Sequence, residues 1–147
     1  MGATPPPELT VYQVDKDGRK EETDEIYLGK VKKEETDESE TMRIRIENAR
    51  NKSAARLPII YIDGQDKETV ASKESSWIMV KNKEINGEDI DDEFEPVSKD
   101  LVRGYKKLAG NIYEEGYVEF EVKAEVPDDA EKGDYNFDYI IEYEYTT

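Results

Sequence analysis

The stretch Thr41-Met42-Arg43-Ile44-Arg45-Ile46-Glu47 decides the fold. Met42, Ile44 and Ile46 alternate with Arg43, Arg45 and Glu47. Successive side chains of an extended chain point to opposite faces, so this period of two sets an apolar row against a core and a charged row toward water. A helix would spread the same residues around its circumference. The segment is expected as a half-buried strand, and a sheet with one apolar face needs a second layer to bury it.

Working outward, the same reading recurs. Glu8 to Asp15 carries Leu9, Val11, Tyr12 and Val14 and ends at the turn pair Asp17-Gly18. A short run, Ile26 to Val31, follows, then an acidic turn from Glu34 to Glu40. Leu57 to Ile62 is more continuously apolar and is expected as a strand covered on both faces or across an edge, closed by Asp63-Gly64. Trp77 to Val80 is another strand, and Asn86-Gly87 is a two-residue hairpin signal leading into Ile90 to Val97. Val118, Phe120 and Val122 alternate with Glu119, Glu121 and Lys123; Tyr135, Phe137, Tyr139, Ile141, Tyr143 and Tyr145 alternate with mostly polar neighbours. Between them, Ser98 to Gly110 places Leu101, Tyr105 and Leu108 at helical spacing, with Gly104 interrupting it.

The pattern predicts an all-β, immunoglobulin-like β-sandwich of about seven to nine antiparallel strands, with at most one short helical turn near residues 98–110. Residues 1–7 are expected as an extended N-terminal arm and 8–147 as a single domain. The predicted core contains Met42, Ile44, Ile46, Trp77, Val118, Phe120, Val122, Phe137, Tyr139 and Ile141.

Composition narrows the chemistry. The chain of 147 residues has no His and no Cys, and 37 Asp+Glu against 21 Lys+Arg give a net charge of −16. Imidazole bases, thiolate nucleophiles, disulfides and His- or Cys-ligated metals are excluded. The acidic field would repel nucleic-acid phosphates and anionic membranes, so neither is expected as a direct partner. No apolar run is long enough to cross a bilayer as a helix, and Met1 to Thr10 has neither the basic nor the apolar part of a secretory leader. Synthesis in a cytoplasm is the expectation.

Two acidic segments have carboxylates enough for a cation site. Asp15, Asp17, Gly18 and Asp24 match part of a helix-loop-helix calcium loop, but the first ligand position is Gln13, the eighth is Lys20 and the flanks are strands. Glu88 to Glu95 holds six carboxylates in eight residues and is expected as a solvated hairpin. No metal, cofactor or catalytic residue is assigned.

Two segments resemble immunoglobulin-like sandwich modules. One is Tyr27-Leu28-Gly29-Lys30-Val31 followed by Met42 to Asn48, a strand ending in Asn. The other is Val126-Pro127 through Ala130, Gly133, Tyr135 and Phe137, similar to the hairpin near the end of such modules. In that hairpin Pro127 ends a strand, Asp128 to Lys132 forms a helical turn, Gly133 takes a conformation closed to other residues and Tyr135 opens the last strand.

A Cys-free module with an extended arm resembles accessory proteins of tailed-bacteriophage particles. The resemblance implies a non-catalytic structural subunit in the head decoration, neck, tail or baseplate. It would be made in the host cytoplasm, be located in the virion, and contact other virion or assembly proteins or further copies of itself. Pro5, Pro6, Pro7, Glu8 and Thr10 are the candidate interaction arm, a simple spacer being the other and weightier reading of the proline run. The alternatives are an extracellular or cell-surface adhesion or carbohydrate-binding module and an acidic nucleic-acid mimic that inhibits a DNA-binding enzyme.

Overall fold

A computed structural model of the chain describes residues 4–25, 41–71, 76–97, 105–127 and 129–146. The elements in chain order are β1 (Leu9–Val14), β2 (Lys20–Glu22), β3 (Met42–Asn48), β4 (Arg56–Asp63), α1 (Lys67–Val70), β5 (Ile78–Ile85), β6 (Glu88–Asp89), β7 (Glu95–Pro96), β8 (Lys106–Lys107), β9 (Tyr117–Ala124) and β10 (Asp138–Glu144). Seven strands form one antiparallel sheet in the order β2-β1-β3-β9-β5-β6, with β7 also on β5; the other three form a second sheet, β10-β4-β8.

The protein is an all-β sandwich with one core between these sheets. Ile44 and Ile46 of β3, Val118, Phe120 and Val122 of β9, and Ile78 and Val80 of β5 meet Ile60 and Ile62 of β4. Opposite residues in the ladder share a face, as Ile44 with Phe120 and Ile46 with Val118 do, so the alternation of Thr41 to Glu47 propagates across neighbouring strands. Met42, Trp77, Phe137, Tyr139 and Ile141 pack against this core while remaining partly exposed. Trp77 meets Tyr135 edge-on at 5.0 Å, and Phe137 meets Tyr139 at 5.5 Å.

The hairpin read from Asn86-Gly87 is present. Ile85 opposes Glu88, and both turn residues have positive φ, 47° and 88°, as a type I′ turn requires. Gly18 likewise takes φ 83° in the turn after β1.

Several details differ from expectation. Ten strands are present among the described residues, because β2, β6, β7 and β8 are two or three residues long and too short to carry a readable period. The helical turn expected near 98–110 is absent from the described part of that segment. Lys106–Lys107 is instead a strand, held extended by Ile59 and Ile60 of β4. The helix among the described residues is Lys67–Val70, following Gly64. Gly133 has neither positive φ nor a close neighbour, and the last strand begins at Asp138, not Tyr135. Residues 1–3 of the arm, the runs Ile26 to Val31 and Glu34 to Glu40, residues 98–104 and Asp128 lie outside the described residues, and the described rest of the turn expected from Asp128 to Lys132 is not helical.

Candidate functional site

Three places gather polar side chains. The first is the end of the sandwich where both ends of the described chain meet. Asn48, the last residue of β3, is buried, and its amide ties three segments together: Oδ1 accepts from the Glu8 N–H at 3.1 Å, and Nδ2 donates to the carbonyls of Ser53 at 2.9 Å and Ile112 at 3.1 Å. Ser53 continues the clasp. Its N–H donates to the Pro5 carbonyl at 2.8 Å, and its hydroxyl lies 2.9 Å from the Thr146 carbonyl.

The candidate arm is therefore placed residue by residue. Pro5 is exposed, but its carbonyl is bound to Ser53; Pro6 is exposed and Pro7 half-buried. Glu8 pairs with Lys52 at 3.4 Å, and Thr10 belongs to the β1 ladder opposite Glu47. Beside the arm an open cleft of about 710 Å³ is lined by Lys52, Arg56, Tyr113 and Glu114, among others. Tyr113 and Leu57 are strongly exposed there or next to it, and Leu57 is held at φ 52° with its N–H donating to Asn111 Oδ1.

The second place is the outward face of the seven-stranded sheet. Glu119 of β9 is wholly buried although it lies on the charged side, because Arg43 and Arg45 close over it. Arg43 Nε donates to one carboxylate oxygen and Arg45 Nε to the other, each at 2.6 Å. The network extends from Arg43 to Glu84 at 3.0 Å, from Tyr117 by its hydroxyl to Glu84, and from Lys20 to Glu47 at 2.6 Å. The Arg45 guanidinium stacks over the Tyr117 ring at 4.0 Å. Burial opposes the Arg45 charge, yet the hydrogen bond and attraction of Glu119 outweigh it and raise its pKa. Farther along the strands, Lys81 and Lys123 flank the Phe94 ring at 5.1 and 4.4 Å.

The third place is the acidic run Glu88 to Glu95. Asp92 and Glu95 turn onto the ammonium of Lys106, at 2.8 and 2.7 Å. Lys106 is 5% exposed and comes from the opposite sheet, so this ion pair bridges the two layers. Next to it Asn82 Nδ2 donates to the Lys107 carbonyl at 2.9 Å, and Asp92 accepts from the Asn82 N–H at 2.8 Å. Burial alone would raise the Asp92 pKa, but the hydrogen bond from Lys106 and those from the backbone lower it. Burial likewise works against charge on Lys106, and its two carboxylate partners overcome this and raise its pKa. Among the described residues no three metal-ligating side chains converge. Asp15, from the rejected calcium pattern, caps its own turn by accepting from the N–H groups of Asp17 and Arg19, each at 2.9 Å.

Glu119 and Lys106 were not singled out by the sequence reading. The Arg43/Arg45 and Glu119/Glu121 alternations carry the signal for the first, but pairing them needs the β3–β9 register. No local signal marks the second. No protein-family model, curated protein or solved structure matches the chain.

Proposed function

We propose that this chain is a non-catalytic structural subunit acting through protein–protein contacts, of the kind that serves as an accessory component of a bacteriophage particle. The observation that carries the reading is what the buried charges do. Glu119 is closed by two arginines and Lys106 by two carboxylates. Both networks fix strands or layers to one another, as befits a rigid body whose task is contact. Neither leaves an unpaired acid or base poised over a cavity, as proton transfer would need.

The same pairing argues against the nucleic-acid mimic. That reading needs a free acidic stripe with phosphate-like spacing, whereas Glu119 and Asp92 face internal cations. A second reading, carbohydrate adhesion, has one observation in its favour: the exposed Tyr113 ring beside Arg56 and Glu114 at the end cleft.

The test is mass spectrometry of purified particles from the organism that encodes the chain. Stoichiometric recovery with other structural proteins is expected. Recovery from cell walls, with particles lacking it and Tyr113→Ala abolishing glycan binding, would transfer the assignment to the adhesion reading.

A further inference from the structure

The sandwich has edges of unequal length. Among the described residues the seven-stranded sheet ends in β2, three residues, and β6, two residues, and one edge of the smaller sheet is β8, two residues. The other edge of that sheet is β10, with seven. Short edge strands are a common protection against unwanted pairing, because an exposed row of N–H and C=O groups is a template for another chain. Beyond its ladder with β4, Asp138–Glu144 makes no backbone hydrogen bond among the described residues. β10 also carries no Lys and no Pro, two residues that commonly blunt an edge.

Its two faces specify what would fit. Tyr139, Ile141 and Tyr143 point toward the core and are only half-buried, so a further strand would cover their remaining apolar surface. Asp138, Ile140 and Glu142 lie on the outward face, with both carboxylates exposed. Glu142 accepts a hydrogen bond from the neutral Tyr61 hydroxyl at 2.8 Å, and no cation pairs with it among the described residues. A second copy of β10 would bring carboxylates against carboxylates, a destabilising cross-strand arrangement. A strand with basic residues outward and apolar residues inward meets both faces.

We propose that the open edge of β10 receives an extended segment of a partner protein by strand addition, and that this segment alternates basic with apolar residues. Main-chain hydrogen bonds would supply affinity and the acidic face would select the partner. The inference rests on the assembly reading and adds the surface and the chemistry of what docks there.

The probe is a peptide of about eight residues alternating Lys and Val, long enough to span a strand, added to the full chain while amide exchange is followed by NMR. Slowed exchange of the outward amides of β10, with β9 unchanged, is expected. The double change Asp138→Lys with Glu142→Lys, both at exposed positions, should weaken binding about tenfold while leaving β9 protection intact. Alternate N-methylation of the peptide, which removes its main-chain donors, should abolish binding.

Equal binding by the N-methylated peptide, indifference to the charge reversal, protection located elsewhere, or dimerisation of the chain through β10 would each overturn the proposal. If the chain is found in particles with its β10 amides still open, strand addition falls and the assembly reading stands. If β10 takes up the Lys-Val peptide but no particle contains the chain, the assembly reading falls.

Discussion

The two sheets treat their outward faces in opposite ways. On the seven-stranded sheet the charges are matched across strands: Arg43 and Arg45 of β3 both close on Glu119 of β9 and bury it, and Glu121 pairs with Lys81 and Lys83 of β5. On the three-stranded sheet Ile59, Tyr61 and Ile140 lie outward among Asp138 and Glu142, and among the described residues β10 has a free edge. The contrast teaches that an acidic composition does not imply a uniformly acidic surface. At the centre of the larger sheet, on β3 and β9, acid meets base, whereas β10 of the smaller one leaves carboxylates and backbone open among the described residues.

The contrast is broken most severely at Glu119. Glu119→Gln keeps the shape but leaves Arg43 and Arg45 without their shared counter-charge, and should cost about 3 kcal/mol of unfolding free energy. Glu142→Gln, at an exposed position on the other sheet, should cost at most about 0.5 kcal/mol. Chemical denaturation of both variants checks the pair, and equal losses would erase the distinction between the faces.

The bridge between sheets comes next. Lys106→Met strands the half-buried Asp92, whereas the more exposed Glu95 can be hydrated, so a loss of about 2 kcal/mol is expected at neutral pH. In the wild type Asp92 has a lowered pKa, so its contribution is present above its unfolded value of roughly 4 and is lost as pH falls through the folded value. Without Lys106 the same carboxylate keeps the hydrogen bond from the Asn82 N–H but loses its counter-charge while staying partly desolvated, and its pKa should rise. The stability gap between variant and wild type should therefore narrow on acidification from pH 7 to about pH 4, as denaturation at matched ionic strength would show.

A smaller effect is expected in alkali. Burial raises the pKa of Tyr139, whose hydroxyl is buried without a hydrogen-bond partner among the described residues, and the carboxylate partners raise that of Lys106. Groups whose folded pKa is raised contribute fully below their unfolded values, roughly 10 for both, and lose that contribution as pH rises through the folded values. Tyr139→Phe should flatten this alkaline decline and change neutral-pH stability little, measured by thermal unfolding across pH 8 to about 11.

The legible parts of the molecule are those where local pattern and tertiary environment agree. Met42 to Glu47, Val118 to Lys123 and Asn86-Gly87 each carry their own signal, and each forms the element read from it. The illegible parts depend on partners distant in sequence. Lys106–Lys107 becomes a strand because β4 offers an edge, and Asp92 is neutralised because Lys106 arrives from the other sheet. Tyr135 looked like the start of a strand because the odd-numbered aromatic row continues through it. Its ring packs on Trp77 before the ladder with β4 begins at Asp138. At the end cleft, Asn48 was visible as the close of a strand motif, but its three hydrogen bonds require Glu8, Ser53 and Ile112 to converge.

Native-state hydrogen exchange of the free chain, resolved by residue, tests the contrast between a completed sheet and an open one most directly. β9 lies between β3 and β5 with neighbours on both sides, so its amides should exchange only through global unfolding. The amides of β10 directed away from β4 should exchange orders of magnitude faster, in alternation with protected ones directed toward it. Uniform protection along Asp138–Glu144, equal to that of Tyr117–Ala124, would contradict the account.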